Sequence, residues 1–347
     1  MIKLNETPVR TSKNFNINNI KLENIVLPEK ITSFNNVTIK AKQSTANIEN
    51  EELAYGLGEA LTKQVQEKAN QKIKLVMNKE EKEAEIIFKF DENNLNLIDN
   101  IQVISEENTT STVTIKYNSA KDIKCEHNGI INVLAKKNSK IHVIIVNFMN
   151  EVSNNFIAIQ NTLEENSNVK YTIIDFGGKN SITNYYSNLK GDFAENTIDA
   201  IYLGKDEQLF DLNYIAELRG KKTNVNIEVE GALKDKAKKH FKGTIDFKKG
   251  AKKAKGNENE TCMLLSETAK SLALPMLLCS EEDVEGNHSC SSGKASEKEL
   301  FYIMSRGFSL NEAIKLLVRA KFNKILENIE NEELKEEILN EIDERLD

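Results

Sequence analysis

The chain has 347 residues, 39% of them hydrophobic and 29% charged, which supports a sizeable core and exceeds the length of one ordinary domain. A formal net charge of -7 argues against a general nucleic-acid binder, and no run approaches the ~18 consecutive apolar residues of a membrane span. Four scattered cysteines without a CxxC argue against a disulfide framework or a structural zinc site, and the first residues lack a signal-peptide apolar segment, so a reducing, cytoplasmic setting is expected.

The first ~50 residues are polar, with short β-like pieces at Asn24–Leu27 and Val37–Lys42. Residues 50–70, rich in Glu, Ala, Leu, Lys and Gln, read as a helix. Gly56 and Gly58 form a GxG there without the strand–turn context of a nucleotide site. Residues 1–71 are therefore expected to form a small N-terminal α/β region.

From residue 72 to about 260, short β-branched strands alternate with polar turns and helical periodicity is absent. The small residues of the turns, Thr109, Ser139, Ser167, Ala194, Thr223 and Ala251, recur at spacings of 30, 28, 27, 29 and 28. A near-constant period marks a solenoid, and one made of strands without helices marks a β-helix. A β-sandwich is the competing reading, but its turns commonly recur every 8–12 residues. Alternation such as Thr114, Ile115, Lys116, Tyr117 sets aliphatic residues inward and polar ones outward. Residues 234–255 carry ten lysines against two aspartates, with no Arg; they read as a solvated face near the end of the solenoid, with the lysines mainly at turns and outward positions.

After residue 296 the pattern turns helical. Ser296 with Glu299, and Ser309 with Glu312, have capping-box spacing, and Gly307 ends the first helix. Leu310, Ile314, Leu317, Val318, Phe322 and Ile325 form an apolar stripe, and an acidic last helix carries Leu334, Ile338, Leu339 and Ile342. The expected fold is mainly β: a right-handed parallel β-helix core over 72–295, the small N-terminal region, and a C-terminal α-helical domain, a small bundle, over 296–347.

His288 and Cys290 stand two residues apart between these parts. A cysteine–histidine dyad needs a third group to orient the base, and nothing nearby beyond Glu282, Asp283 and Asn287 supplies one. A polymer-cleaving β-helix enzyme, for instance on a polysaccharide, remains the alternative class; it needs paired carboxylates on neighbouring coils, and the strands offer none. Imidazole, thiol and carboxylate suit iron or a transient iron–sulfur species, but fewer than four firm ligands do not support a self-contained cluster site, which leaves one completed by a second chain as an open alternative. His127, His142 and His240 read as structural or exposed, and Cys125 and Cys279 as ordinary small residues.

The stretch from Met263 to Phe322 resembles the C-terminal signature of the SufB/SufD family of iron–sulfur cluster assembly proteins. The matching positions are Leu264, Leu265, Ser266, Ala269, Pro275, Leu277, Asp283, Val284, His288, Gly293, Leu300, Phe301, Tyr302, Ser305, Arg306, Gly307 and Ala313. Asp283-Val284 before His288 resembles the SufD side of the family. The family's Cys-Ser-His-Gly-Ala-Thr reads Gly286-Asn287-His288-Ser289-Cys290-Ser291 here, so the cysteine has changed sides of the histidine. The resemblance implies a non-enzymatic scaffold that pairs with SufB through the β-helices and docks the ABC-type ATPase SufC. A homodimer is the alternative assembly. It implies a transient cluster or iron, shared with SufB, at His288, with no stable cofactor in the isolated chain. Cys290, Cys262, Asp283 and Glu282 are further candidates at that interface. The docking candidates are Leu300, Phe301, Tyr302, Ser305, Arg306, Gly307, Leu310, Ala313 and Leu317.

Overall fold

The computed structural model describes residues 2–11, 16–23, 31–42, 44–48 and 52–347. Sixteen parallel strands, from β5 (Gln71–Met77) to β20 (Val284–Lys294), wind as a solenoid of eight coils with two strands each. Odd strands stack in one nine-stranded sheet and even strands in the other, each completed by one short strand at its N-terminal end. Every coil-to-coil pairing is in register: Val143 lies beside Val113 and Tyr171, and Tyr185 beside Ile159 and Tyr214. The expected alternation holds, with Ile115 and Tyr117 inside the solenoid and Thr114 and Lys116 outside it.

The repeat period has a structural cause at the corners. Thr109, Ser139, Ser167 and Thr223 are buried, and each hydroxyl donates to the carbonyl three residues back, at 2.5, 2.7, 2.7 and 3.0 Å. The residue before each takes a left-handed backbone: Asn108, Asn138, Asn166, and later Phe193 and Lys222. Asparagine tolerates that conformation better than most residues. Asn166 donates to Asn138 and Asn138 to Asn108, at 2.8 and 3.1 Å, so the corners form a side-chain ladder.

The two ends of the solenoid differ. At the N-terminal end β3 (Val37–Lys40) and β4 (Ser44–Thr45) pair antiparallel with β6 (Glu83–Phe90) and β5, and Phe34 packs edge-on against Phe88 and Phe90. At the C-terminal end β19 (Lys270–Cys279) and β20 are the last strands of their sheets. The N-terminal helix is shorter than expected, α1 (Glu59–Lys68), because Gly58 takes φ +137° just ahead of it; Asn24–Leu27 lies outside the described residues. Leu57, Leu61 and Val65 cover Ile98, Ile130, Phe156 and Ile182 on the outside of the odd sheet.

The C-terminal helices are α2 (Glu297–Ser305), α3 (Leu310–Leu326) and α4 (Glu332–Leu346). They do not make a free-standing bundle. Val318, Phe322 and Ile325 of α3, with Leu334, Ile338 and Ile342 of α4, pack on Ile144, Val146, Ile174, Phe176, Ile201 and Leu203 outside the even sheet. An amphipathic stripe needs an apolar surface, and the sheet supplies it better than a second helix does. Lys321 with Glu230 (2.6 Å) and Lys324 with Glu228 (3.2 Å) pin α3 to β16 (Asn224–Leu233). Ser309 and Glu312 form a full capping box on α3, whereas Ser296 only accepts from the Glu299 backbone N–H.

Candidate functional site

The last two coils contain a polar interior that the rest of the solenoid lacks at those rungs. Along β16 the inward residues Ile227 and Val229 are aliphatic. Their partners on β18 (Ala254–Leu264) are Glu258 and Glu260, and β20 then places His288 on Glu258 and Cys290 on Glu260. Glu258 and Glu260 are 2% and 0% exposed. His288 is exposed because no further coil covers it, and Cys290 is half-buried against the core.

Glu260 is well partnered: its Oε1 accepts from the Tyr202 hydroxyl at 2.8 Å and pairs with the Lys239 ammonium at 2.7 Å. Lys239, on β17 (Lys238–Phe247), is fully buried and also lies 5.9 Å from the Tyr202 and Phe241 ring centres. Neither carboxylate oxygen of Glu258 has a hydrogen-bond partner. Burial first, then the neighbouring Glu260, pushes its carboxyl up to about 8. Gly243 makes the space: a Cβ there would stand 2.2 Å from the Glu258 carboxyl carbon.

Both nearby thiols are held protonated. Burial, with Glu258 and Glu260 beside it, pushes Cys290 up to about 12. Burial also raises Cys262, against the opposing pull of Lys239. Cys262 is buried on the same rung as Ser292, and it and Cys290 both pack in the solenoid core. Cys125 is buried far away with its thiol raised to about 11, and Cys279 is exposed, its Sγ 2.9 Å from the Glu281 carbonyl.

Glu282 and Asp283 stand at the corner before β20, where the Asp283 carbonyl accepts from the Lys253 N–H at 2.6 Å. Asp283 and His288 are five extended residue steps apart, a span of ~16 Å, so these acids are not brought to the imidazole. Among the described residues no group of three His, Cys, Asp or Glu side chains is placed to hold a metal ion. The residues missed in the sequence are Glu258, Glu260 and Lys239. Their signal is the "NENET" run, where charged residues fall on the inward parity of a strand.

The lysine-rich segment is less solvated than its composition suggests. Lys239 points inside to Glu260, and Lys242 is buried under the N-terminal segment, 2.5 Å from Asp211. Lys248 pairs with Asp246 at 2.6 Å, and Lys234 donates to the Leu346 carbonyl at 3.0 Å. The other histidines are structural: His127 is buried between Asp99 (2.8 Å) and Asn155 (2.6 Å), His142 is lowered to about 4 by burial and Lys170, and His240 stands 3.4 Å from Asp211.

A second feature lies on the helices. No residue of α2 is buried, and Phe301 is 76% exposed, with Tyr302, Met304, Phe308, Leu310 and Leu316 also exposed. Arg306 stacks on Tyr302 at 5.1 Å and donates to its hydroxyl at 3.0 Å, while Ser305 and Gly307 are exposed beside it. Leu300 and Leu317 are half-buried; Ala313 is buried. Among the described residues no helix is long and apolar enough to cross a membrane.

The comparisons with known proteins agree on one family. The family model described as SUF system FeS cluster assembly, SufBD core domain, matches residues 88–321. The chain is similar to the iron-sulfur cluster assembly protein SufD of Bacillus subtilis (strain 168), 23% identical over 265 residues, covering 76% of this chain and 61% of the relative. An iron-sulfur cluster assembly SufBD family protein of Staphylococcus saprophyticus is 26% identical over 196 residues (55% of this chain, 41% of the relative). One of Staphylococcus epidermidis is 25% identical over 195 residues, with the same coverage. The chain thus spans about three fifths of the first relative and two fifths of the others. With the match running over most of the solenoid and into α3, the chain belongs to the SufBD core family of the SUF iron–sulfur cluster assembly system.

Proposed function

We propose that the protein is a SufD-like, non-catalytic scaffold subunit that works in the cytoplasm within a SUF complex. It pairs with SufB through the C-terminal end of its solenoid, and the ATPase SufC docks on the exposed apolar residues around α2. Iron or a nascent cluster passes as cargo at the His288 and Cys290 end, shared with the partner chain. The observation that carries this reading is the asymmetry of the solenoid: its N-terminal edges are closed by β3, β4 and Phe34, whereas β19 and β20 leave two strand edges open beside His288. Open edges invite strand pairing with another chain. The SufD name of a relative at 23% identity supports the choice within the family.

Co-expression with SufB and SufC tests this directly. Both are expected to co-purify, and replacing Phe301 with Glu should lose SufC alone while helicity and SufB binding are kept. A chain that elutes as the same homodimer with and without SufB overturns the heterodimer. His288→Ala should leave the complex intact and lower cluster assembly in cells; unchanged assembly makes the imidazole structural. The polymer-cleaving reading is less well supported: the carboxylates that do face each other across neighbouring coils, Asp199 with Glu228 and Glu217 with Asp246, are engaged by Lys170, Lys324, Arg219 and Lys248, and Glu258 and Glu260 lie inside the solenoid.

A further inference from the structure

Three stacked corners of the solenoid break the charge pattern of the others. Nearer the N-terminal end, charges on neighbouring corners are opposite and paired, Lys136 with Glu106 at 2.9 Å and Lys137 with Glu165 at 2.8 Å. The corner after β15 (Leu209–Leu218) then exposes Lys221 and Lys222, and the corner after β17 exposes Lys249, Lys252 and Lys253. Backbone bonds stack these corners: the Phe193 N–H donates to the Lys221 carbonyl and the Lys222 N–H to the Lys252 carbonyl, each at 2.9 Å. Like charges on adjacent coils, ~4.8 Å apart, repel. Among the described residues none of these five lysines forms an ion pair, whereas Arg219 and Lys248 on the same corners are committed to Glu217 and Asp246. The Glu281 carboxylate, on the next corner, is used by the Gly250 and Glu282 N–H groups at 2.9 and 3.2 Å.

The backbone is a second, independent observation. Asn108, Asn138 and Asn166 hold the left-handed position of the earlier corners, which asparagine tolerates. At the next three corners that position carries Phe193, Lys222 and Lys253, at φ +60°, +55° and +60°. These side chains take the conformation at a higher cost, and such outliers concentrate where function holds them. Phe193 is 47% exposed, with the Lys222 ammonium 5.1 Å from its ring centre.

We propose that Phe193, Lys221, Lys222, Lys249, Lys252 and Lys253 form a docking surface for an acidic segment of a partner polypeptide, laid extended across the corners with an apolar residue on the Phe193 ring. Charge complementarity names this occupant: the lysines lack carboxylates of their own, and an acidic segment supplies them. The three corners span ~10 Å, which about four extended residues cover. Acids bound the patch on both sides, Glu165 and Asp192 before it and Glu282 and Asp283 after it. The patch therefore takes a short acidic run and repels the long, continuous charge of a nucleic acid. It ends one coil before the open strand edges and is independent of the cargo read at that end.

The test is fluorescence anisotropy of a labelled Glu-Glu-Phe-Glu-Glu peptide titrated with the full chain. At low salt it should bind at least ~10-fold tighter than Gln-Gln-Phe-Gln-Gln, and the difference should shrink at high salt. Phe193→Asn restores the residue of the earlier corners, so its melting temperature should hold or rise while affinity falls about five-fold. Lys221→Gln with Lys252→Gln should weaken binding ~5-fold, whereas Lys82→Gln with Lys89→Gln, at exposed positions near the other end, should leave it unchanged. Equal binding of the two peptides, equal losses from the two lysine pairs, or an unchanged affinity in Phe193→Asn overturns the proposal. Displacement of the peptide by an equal concentration of short single-stranded DNA also overturns it, and assigns the surface to nucleic acid.

Discussion

Glu260 and Glu258 lie two residues apart on one strand, both inside the solenoid, and only Glu260 has a cation beside it. Removing that cation should therefore be severe. Lys239→Met is expected to cost about 3–5 kcal/mol in urea denaturation, and adding Glu260→Gln should recover most of the loss, since a buried pair is dangerous mainly when halved. Glu258 works through pH. Its folded carboxyl is raised to about 8 from an ordinary 4.5, so between those values the folded state holds a proton that the unfolded state has lost. Stability then falls as pH rises from 4.5 to 8 and levels off above. Glu258→Gln removes this slope, so the variant should gain on wild type by a few kcal/mol between pH 5 and pH 8.5. A difference that is flat with pH would show that Glu258 titrates normally.

At the scale of elements, the corners of the coils were readable because their chemistry is local. A small residue must sit inside each corner and a turn-tolerant one just before it, and that recurrence showed in the sequence at Thr109, Ser139 and Ser167. Asn138 is the test of this local chemistry, since it combines φ +59° with side-chain bonds to both neighbouring corners. Asn138→Ala should cost ~1–2 kcal/mol, and Asn138→Gly less, because glycine keeps the backbone conformation and loses only the ladder. Equal losses would assign the whole effect to the ladder. The capped starts of α2 and α3 were readable for the same reason. What α3 and α4 pack against was not, because a stripe states that a partner exists without naming it. The candidate site was legible in part: His288 and Cys290 stood out as a pair, but Glu258 and Glu260 hid in a strand whose polarity imitates a loop. Only the strand register reveals them as inward.

For the whole molecule, the consequence is that α3 and α4 are a wall of the solenoid and not an appendage. Phe322 stacks 6.4 Å from Phe176, which stacks 5.8 Å from Phe148, so one apolar layer runs from α3 across the even sheet. Cutting the chain after residue 295 would expose Ile144, Val146, Phe148, Ile174, Phe176, Ile201 and Leu203 together. Each such side chain is worth ~1.5–3 kcal/mol on burial, and the sum rivals the 5–15 kcal/mol that typically separates folded from unfolded states. A face of that size would also drive association. The 1–295 fragment is therefore expected to aggregate or bind hydrophobic dye strongly, whereas removing only the exposed α2 surface by substitution at Phe301 and Tyr302 should leave the melting temperature nearly unchanged. A soluble, monomeric 1–295 fragment with an intact β spectrum would mean that the helices dock reversibly. That result would make them a separable lever, and any force applied by a partner at α2 would then detach them before it reached the coil that carries His288. If the fragment collapses as expected, α3, α4 and the even sheet form one body, and a pull on the exposed α2 is felt at β20 through the direct chain connection, seven residues from His288 to Ala295.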